Sequence, residues 1–466
     1  LRKLSRLDRL DPATAPLQPE DQSFFKETPM RLLPATMATA LSLASASAAF
    51  AQVPTDAVFA AAKVVQPKVV AWRRDIHQHP ELGNREVRTA ALVAAELKRL
   101  GFEVRTKVAV TGIVAVLKGG KPGGVVALRA DMDGLPVEEK TGLPFASKAM
   151  GEYEGKMVPV MHACGHDTHV AMLLGAATVL AGMRDQIPGT VVLIFQPAEE
   201  GLPIGETGGA KRMVAEGALD NPAPSAIFGI HIGPGDPGKL NYRPGGFYAA
   251  ADRFDIALKG RQTHGARPWS GIDVISLSAS IITAMNQIAA RQIDVTASPT
   301  VITVATIHGG VRNNIIPEDL AMSGTLRTFS DERRSDVIAR MDKTVKALGE
   351  SYGASATLTM NEPSYPVTYN DPALAAAMLP TLTIAAGGAA NVEPNGDLVT
   401  GAEDFSYYAR KIPGVFYQLG ARKPGLDAKT APVNHSPYFD IDETVMEVGV
   451  RTHVMLALGY LDQKAK

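Results

Sequence analysis

Three apolar runs in this chain each deliver an acid or a histidine, and that pattern restricts the fold more than any other feature. GGVVALRADMD (123–133) leads to Asp131 and Asp133, TVVLIFQPAEE (190–200) to Glu199 and Glu200, and AIFGIHIG (226–233) carries His231. Runs of this length without polar alternation predict strands covered on both faces, with the amphipathic stretches around 57–78 and 84–100 as covering helices. The expectation is an α/β fold with a mixed, mostly parallel sheet. In such open sheets ligands gather at the carboxyl ends of the strands, which is where these polar residues fall.

At 466 residues the chain exceeds one ordinary core, so two domains are expected. Hydrophobic content of 45% and charged content of 20% describe a soluble globular protein. A net charge of −1 without a long basic run argues against nucleic acid or an anionic membrane as partner. The single cysteine excludes an intrachain disulfide framework. Residues 1–29, mixed in charge and opening on Leu1, are read as a disordered or non-native leader ahead of Met30. Residues 30–51 pair a basic Arg31 with an apolar, small-residue stretch ending Ala49-Phe50-Ala51, the composition of a secretory signal, so a periplasmic or secreted protein is expected.

The pattern changes near Gly245. RFDIALKG (253–260), TVITVATIHGG (300–310), DLAMSGTLRTF (319–329) and SATLTMNE (355–362) read as strands, with helices at 273–291 and 332–350. The order βαββαβ is that of a ferredoxin-like unit. α/β character then returns: a helix opened by EDF (404–411), the strand VFYQLG (415–420), the loop NHSPYF (434–439) and a C-terminal helix. We read a catalytic domain in two parts, 53–244 and 359–466, with a small lid domain, 245–358, inserted between them.

The lone cysteine lies in MHACGHDTHV (161–170) among His162, His166 and His169. In an extended backbone positions i and i+2 face one side, so His162, Cys164 and His166 can converge, with Gly165 allowing a turn. Thiolate with imidazole suits Zn²⁺, Co²⁺, Ni²⁺ or Mn²⁺ rather than Ca²⁺. Glu199 and Glu200, being adjacent, face opposite ways when extended; one can ligate metal while the other takes a proton from water. Two rival readings keep the same residues: a hydrolase using Cys164 as nucleophile with a neighbouring histidine, and an inactive metal- or solute-binding protein.

ADMDGLP (130–136), MHACGHD (161–167), FQPAEEG (195–201), GIH (229–231), THGARPWSGID (263–273), NIIPE (314–318), GTLRTF (324–329), GAEDFSYY (401–408) and HSPYFDIDE (435–443) occur in order. Over roughly 57–463 the chain thereby resembles the di-metal amidohydrolases and carboxypeptidases that include hippurate hydrolase, N-acyl-amino-acid amidohydrolases and plant indole-acetyl-amino-acid hydrolases. The resemblance implies a metal-dependent hydrolase that releases an amino acid from N-acyl amino acids or small peptides with a free carboxylate. It implies two divalent ions (Zn, Mn, Co or Ni) bridged by Cys164 and completed by His166, Glu200, His231 and His435. Glu199 is implied as general base and Asp133 as the group orienting an adjacent imidazole. In the lid, His264 is implied to polarise the scissile carbonyl from a partner subunit, with Arg327 and Asn314 binding substrate. A homodimer through the lid is expected on the same ground. Two departures, Trp269 and a long 201–209 loop, are expected to reshape the acyl pocket.

Overall fold

The apolar runs become the centre of one eight-stranded sheet. In the computed structural model, which describes residues 54–203 and 205–465, its strands lie in the order Glu103–Val108, Gly112–Lys118, Pro188–Gln196, Lys121–Asp131, Ile227–Gly233, Gly414–Gly420, Leu240–Asn241 and Val392–Glu393. The 1–29 leader and the 30–51 signal segment lie outside the described residues. Pro188–Gln196, Lys121–Asp131, Ile227–Gly233 and Gly414–Gly420 run parallel. Antiparallel neighbours flank them on both sides, so the sheet is mixed and parallel at its core.

Both faces are covered, which is why these strands carry no polar alternation. On one face the helices Thr55–Gln78, His166–Gly182 and Met446–Lys464 bury Val69, Ile76, Leu173, Leu174, Val450 and Leu456 against the sheet. The helix His166–Gly182 is buried along almost its whole length, so its sequence is apolar all round. The other face is covered by Met213, Phe405 and Tyr408, packed on Val114, Ile194 and Phe416.

Ala250–Lys259, Val301–Gly309, Asp319–Thr328 and Ser355–Tyr365 form a separate four-stranded antiparallel sheet. Its order places Val301–Gly309 at one edge, then Asp319–Thr328, Ala250–Lys259 and Ser355–Tyr365. With the helices Val274–Gln287 and Asp331–Tyr352 this is the βαββαβ arrangement read from the sequence. Ala250–Lys259 alternates buried and more exposed residues, and Phe254, Ile256 and Leu258 meet Leu277, Ile281, Val337 and Met341 in one core.

Three local expectations need correction. The helix opened by EDF is only Ser406–Ala409, because Glu403 and Asp404 turn inward to a buried arginine. The helix expected to run to 291 is α-helical over Val274–Gln287 and widens into a π turn, Ile288–Gln292. The glutamate pair does not extend from its strand: the strand ends at Gln196 and Ala198 adopts a left-handed φ of 54°.

Candidate metal centre

Gly165 makes the turn that presents the cysteine. Its φ is +93°, and a Cβ there would lie 2.3 Å from Ile232 Cγ2, so only glycine fits without displacement. The helix His166–Gly182 starts directly after it, setting Cys164 and His166 at the carboxyl end of the parallel strands. From the C-terminal loop, the amide of His435 donates to Ala163 O at 2.8 Å while its own φ is 71°. Asn434 Nδ2 donates to Cys164 O at 2.8 Å and to Ile232 O at 3.1 Å, tying that loop to the turn.

Each imidazole is held by one nitrogen. His231 Nδ1 donates to Ile232 O at 2.7 Å, leaving Nε2 3.4 Å from Cys164 Sγ. His166 Nδ1 meets Asp133 Oδ1 at 3.2 Å, and the other oxygen of Asp133 accepts from the amide of Glu200 at 3.0 Å. Asp133 therefore orients two neighbours at once, as expected of a group behind a ligand. His435 Nε2 stands 3.0 Å from Glu200 Oε1.

Donor atoms of Cys164, His166 and His231 lie within 4.8 Å of one another, and so do those of Cys164, Glu200 and His435. The two groups share the thiol. His166 Nε2 is buried without a hydrogen-bond partner, and it turns toward Glu200 Oε1, which His435 Nε2 also faces at 3.0 Å, so nitrogen, oxygen and sulfur donors converge here. Burial, with Glu200 and Glu199 beside it, holds the Cys164 thiol well above its usual range. A soft or borderline dication fits this donor set, since it accepts the lone pairs and favours the thiolate.

Glu199 lies beside the cluster, 5% exposed. Burial, then Glu403, Glu200 and Asp404, raise its pKa well above the carboxylate range. Behind it Arg129, fully buried, donates to Asp131 at 2.6 Å, Glu403 at 2.9 Å and Asp404 at 3.0 Å. In Glu200 burial is outweighed by His435 and His166, and its pKa is lowered. The adjacent glutamates thus sit in opposite electrostatic settings.

The structure therefore brings together Cys164, His166, His231, Glu199, Glu200, Asp133 and His435. Asp131 is engaged by Arg129 and by His169 Nδ1, and the buried His162 has no hydrogen-bond partner on either ring nitrogen. Arg327 lies apart, lining a cleft of about 340 Å³ with Glu200, Tyr365 and Ala402. Its guanidinium donates to Thr325 Oγ1 and to Leu326 O, and forms no ion pair among the described residues. His264 pairs with Ile315 across a two-stranded ladder, and the amide of Gly265 donates to Asn314 O at 2.8 Å. These two lid residues are neighbours, but neither lines the cavity around Cys164. Trp269 is 79% exposed. Sequence reasoning missed Arg129, Glu403 and Asp404; an arginine inside a continuous apolar run was the available signal.

Residues 127–458 match the model of peptidase family M20/M25/M40. Thermostable carboxypeptidase 2 of Saccharolobus solfataricus is 41% identical over 402 residues, 85% of this chain and 96% of that protein. The IAA-amino acid hydrolase ILR1-like 2 of Arabidopsis thaliana is 40% identical over 406 residues, 86% of this chain and 87% of that protein. The crystal structure of the Bacillus subtilis YXEP protein, described as a dinuclear metal binding peptidase, superposes with a TM-score of 0.71 at 33% identity, covering 86% of this chain and 99% of its own.

Proposed function

The chain belongs to peptidase family M20/M25/M40 and is a metal-dependent hydrolase acting on N-acyl amino acids or peptides; from that premise we propose the roles of its residues. The observation that carries the reading is the pair of three-donor groups sharing Cys164, with Glu199 beside them. Cys164 would belong to both donor sets for divalent ions, with His166 and His231 completing one and Glu200 and His435 the other. When bound, Zn²⁺, Mn²⁺, Co²⁺ or Ni²⁺ supplies Lewis acidity toward an amide carbonyl and toward water. Glu199 takes the proton of the attacking water and returns it to the leaving nitrogen, a role suited to a carboxylate whose burial and acidic neighbours raise its proton affinity. Asp133 fixes His166 with its free nitrogen inward. Arg327, half-buried and in no ion pair among the described residues, receives the carboxylate of the amino-acid half, while Asp252 in the same cleft is bound by Arg334. Against a cysteine nucleophile, burial and the adjoining carboxylates hold the Cys164 thiol protonated, the wrong direction for attack.

The paired variants Glu199→Gln and Glu200→Gln test the division. Glu199→Gln is expected to keep both metals by elemental analysis and to lose at least ~10³-fold in kcat. Glu200→Gln is expected to lose metal. An active Glu199→Gln enzyme, or an empty one, would overturn the assignment.

The reading includes a homodimer through the lid, with His264 and Asn314 serving the partner's site. Its support is the edge strand Val301–Gly309, largely exposed and unpaired on its outer side, flanked by Val311 at 89% exposure. Mixing inactive Glu199→Gln with inactive His264→Ala subunits should restore about a quarter to a half of wild-type activity per site if His264 acts across the interface. No recovery in verified mixed dimers would place His264 in its own subunit's reaction or outside it. Export directed by residues 30–51 belongs to the same proposal, and mass analysis of the protein from its native cells should find the chain beginning near Gln52.

A further inference from the structure

The cavity of about 510 Å³ that holds Cys164, Glu199, Glu200, His231 and His435 extends past them to Tyr248, Asn241 and Gln418, a part that the residue roles above leave unassigned. It shares Glu200 and Ala402 with the cleft holding Arg327. If the amino-acid carboxylate lies at Arg327, the scissile bond falls near Glu200 and the acyl group enters the part of this cavity beyond the metal-centre residues. The inference therefore rests on the function proposed above.

The cavity is built around a registered polar row. His231, Gln418 and Asn241 occupy opposed positions on three adjacent strands: Gln418 pairs with His231 on one side and with Asn241 on the other. Asn241 Nδ2 donates to Gln418 Oε1 at 3.0 Å, and Gln418 Nε2 donates to the hydroxyl oxygen of Tyr248 at 2.7 Å. Gly396 makes room for the row, since a Cβ there would fall 1.6 Å from Asn241 Oδ1. Tyr248 is 5% exposed, its ring fixed edge-on to Phe247 and Phe416. With its oxygen already accepting from Gln418, the hydroxyl proton of Tyr248 has no acceptor among the described residues. Around it the walls contributed by Leu240, Ile232, Val399 and Leu419 are apolar.

We propose that Tyr248 is a specificity residue of the acyl pocket, donating its oriented hydroxyl proton to an oxygen carried by the acyl chain. Its ring stands 6.3 Å from that of His231, so the oxygen it reads lies within a few atoms of the scissile amide. Gln418, which holds the hydroxyl, lies one strand beyond His231, and neighbouring strands stand about 4.8 Å apart. A buried donor left unpaired by an alkyl chain and satisfied by an ether or keto oxygen discriminates by its desolvation penalty. The favoured substrates are thus N-acyl amino acids whose acyl group bears a hydrogen-bond acceptor a few atoms from the amide, in place of simple alkanoyl groups.

The experiment uses the metal-loaded enzyme and two isosteric pairs on one amino acid: N-methoxyacetyl against N-butanoyl, and N-3-methoxypropanoyl against N-pentanoyl. The quantity read is the ratio of kcat/KM within each pair. In wild type at least one pair is expected to favour the ether by about three- to ten-fold, the range of one net hydrogen bond. In Tyr248→Phe the ratio is expected to collapse to near one, and in Gln418→Met, which frees the hydroxyl from its partner, to fall part of the way. A wild-type ratio of one in both pairs overturns the proposal without any variant. So does a ratio that survives in Tyr248→Phe while both substrates of a pair slow equally, because the hydroxyl would then serve the scissile group. Failure of wild type to cleave any of the four, with dipeptides also inert, would instead remove the reading of substrate class beneath it.

Discussion

Glu86 is a carboxyl group without access to water, placed one layer behind the reacting glutamates. It is fully buried, accepts from the amide of Ala198 at 2.8 Å and receives the hydroxyl of Thr111 at 2.5 Å. Burial, followed by nearby Asp133, raises its pKa to about 8. Between the ordinary glutamate value and about 8, the folded chain keeps a proton that the unfolded chain releases. Stability contributed through this group is therefore present at low pH and declines as pH rises through that window. Glu86→Gln keeps the acceptor for Ala198 and removes the titration. Urea denaturation at pH 5.5 and 8.5, at fixed metal concentration, should show the variant losing about 1–3 kcal/mol less than wild type over that interval. Parallel losses in the two proteins would mean that Glu86 ionises normally. Nothing in the sequence around Glu86 marks it, because its environment is assembled from Thr111 and Ala198, far along the chain. Cys164, His166 and the glutamate pair were legible for the opposite reason: their chemistry is concentrated within a few residues.

At the scale of elements, legibility followed periodicity. Ala250–Lys259 alternates along its length and was read as a strand, and the continuous runs leading to Asp131 and Gln196 were read as central strands. The helix Pro372–Ala385 went unread, since its apolar residues form no stripe and Pro380 interrupts the pattern. Leu240–Asn241 and Val392–Glu393 are two residues each, and only their neighbours in the sheet make them strands. The same distinction governs what damage to an element does. Phe254 is fully buried in the core of the four-stranded unit, its ring directly over Gly324, where a Cβ would come within 2.4 Å of it. Phe254→Ala should cost about 3–5 kcal/mol in that unit. Metal content should be retained, because Cys164, His166, Glu200, His231 and His435 all lie outside this core. Equilibrium unfolding with elemental analysis on the same sample checks both halves, and loss of metal with unchanged stability would contradict the picture.

Across the whole molecule, the sheet's carboxyl edge collects acids faster than it collects cations. Arg129 is shared among Asp131, Glu403 and Asp404, with Glu199 next to them toward the cavity and Glu200 at the front. Burial and the neighbouring acids push Glu403 to about 8 and Asp404 to about 6, despite the guanidinium between them. That single guanidinium is committed to the rear of the site, and the front relies on His166 and His435, whose proton affinity the neighbouring acids raise. The divalent ions proposed at Cys164 then have a second consequence, for folding as well as catalysis: they are the countercharge that relieves repulsion stored in the sheet's edge. Ligands bound only by the native state stabilise it by mass action, about 2.7 kcal/mol at a hundredfold excess over Kd. Chelation should accordingly lower Tm by roughly 3 °C for each ion lost in a chain of this size, and re-addition of Mn²⁺ or Zn²⁺ should restore it. An unchanged Tm after verified metal loss would show that the apo fold carries its acids protonated at no cost. Arg129 thus decides more than the posture of three carboxylates: with its charge engaged at the back, the electrostatic balance of the front is left to whatever cation the site binds.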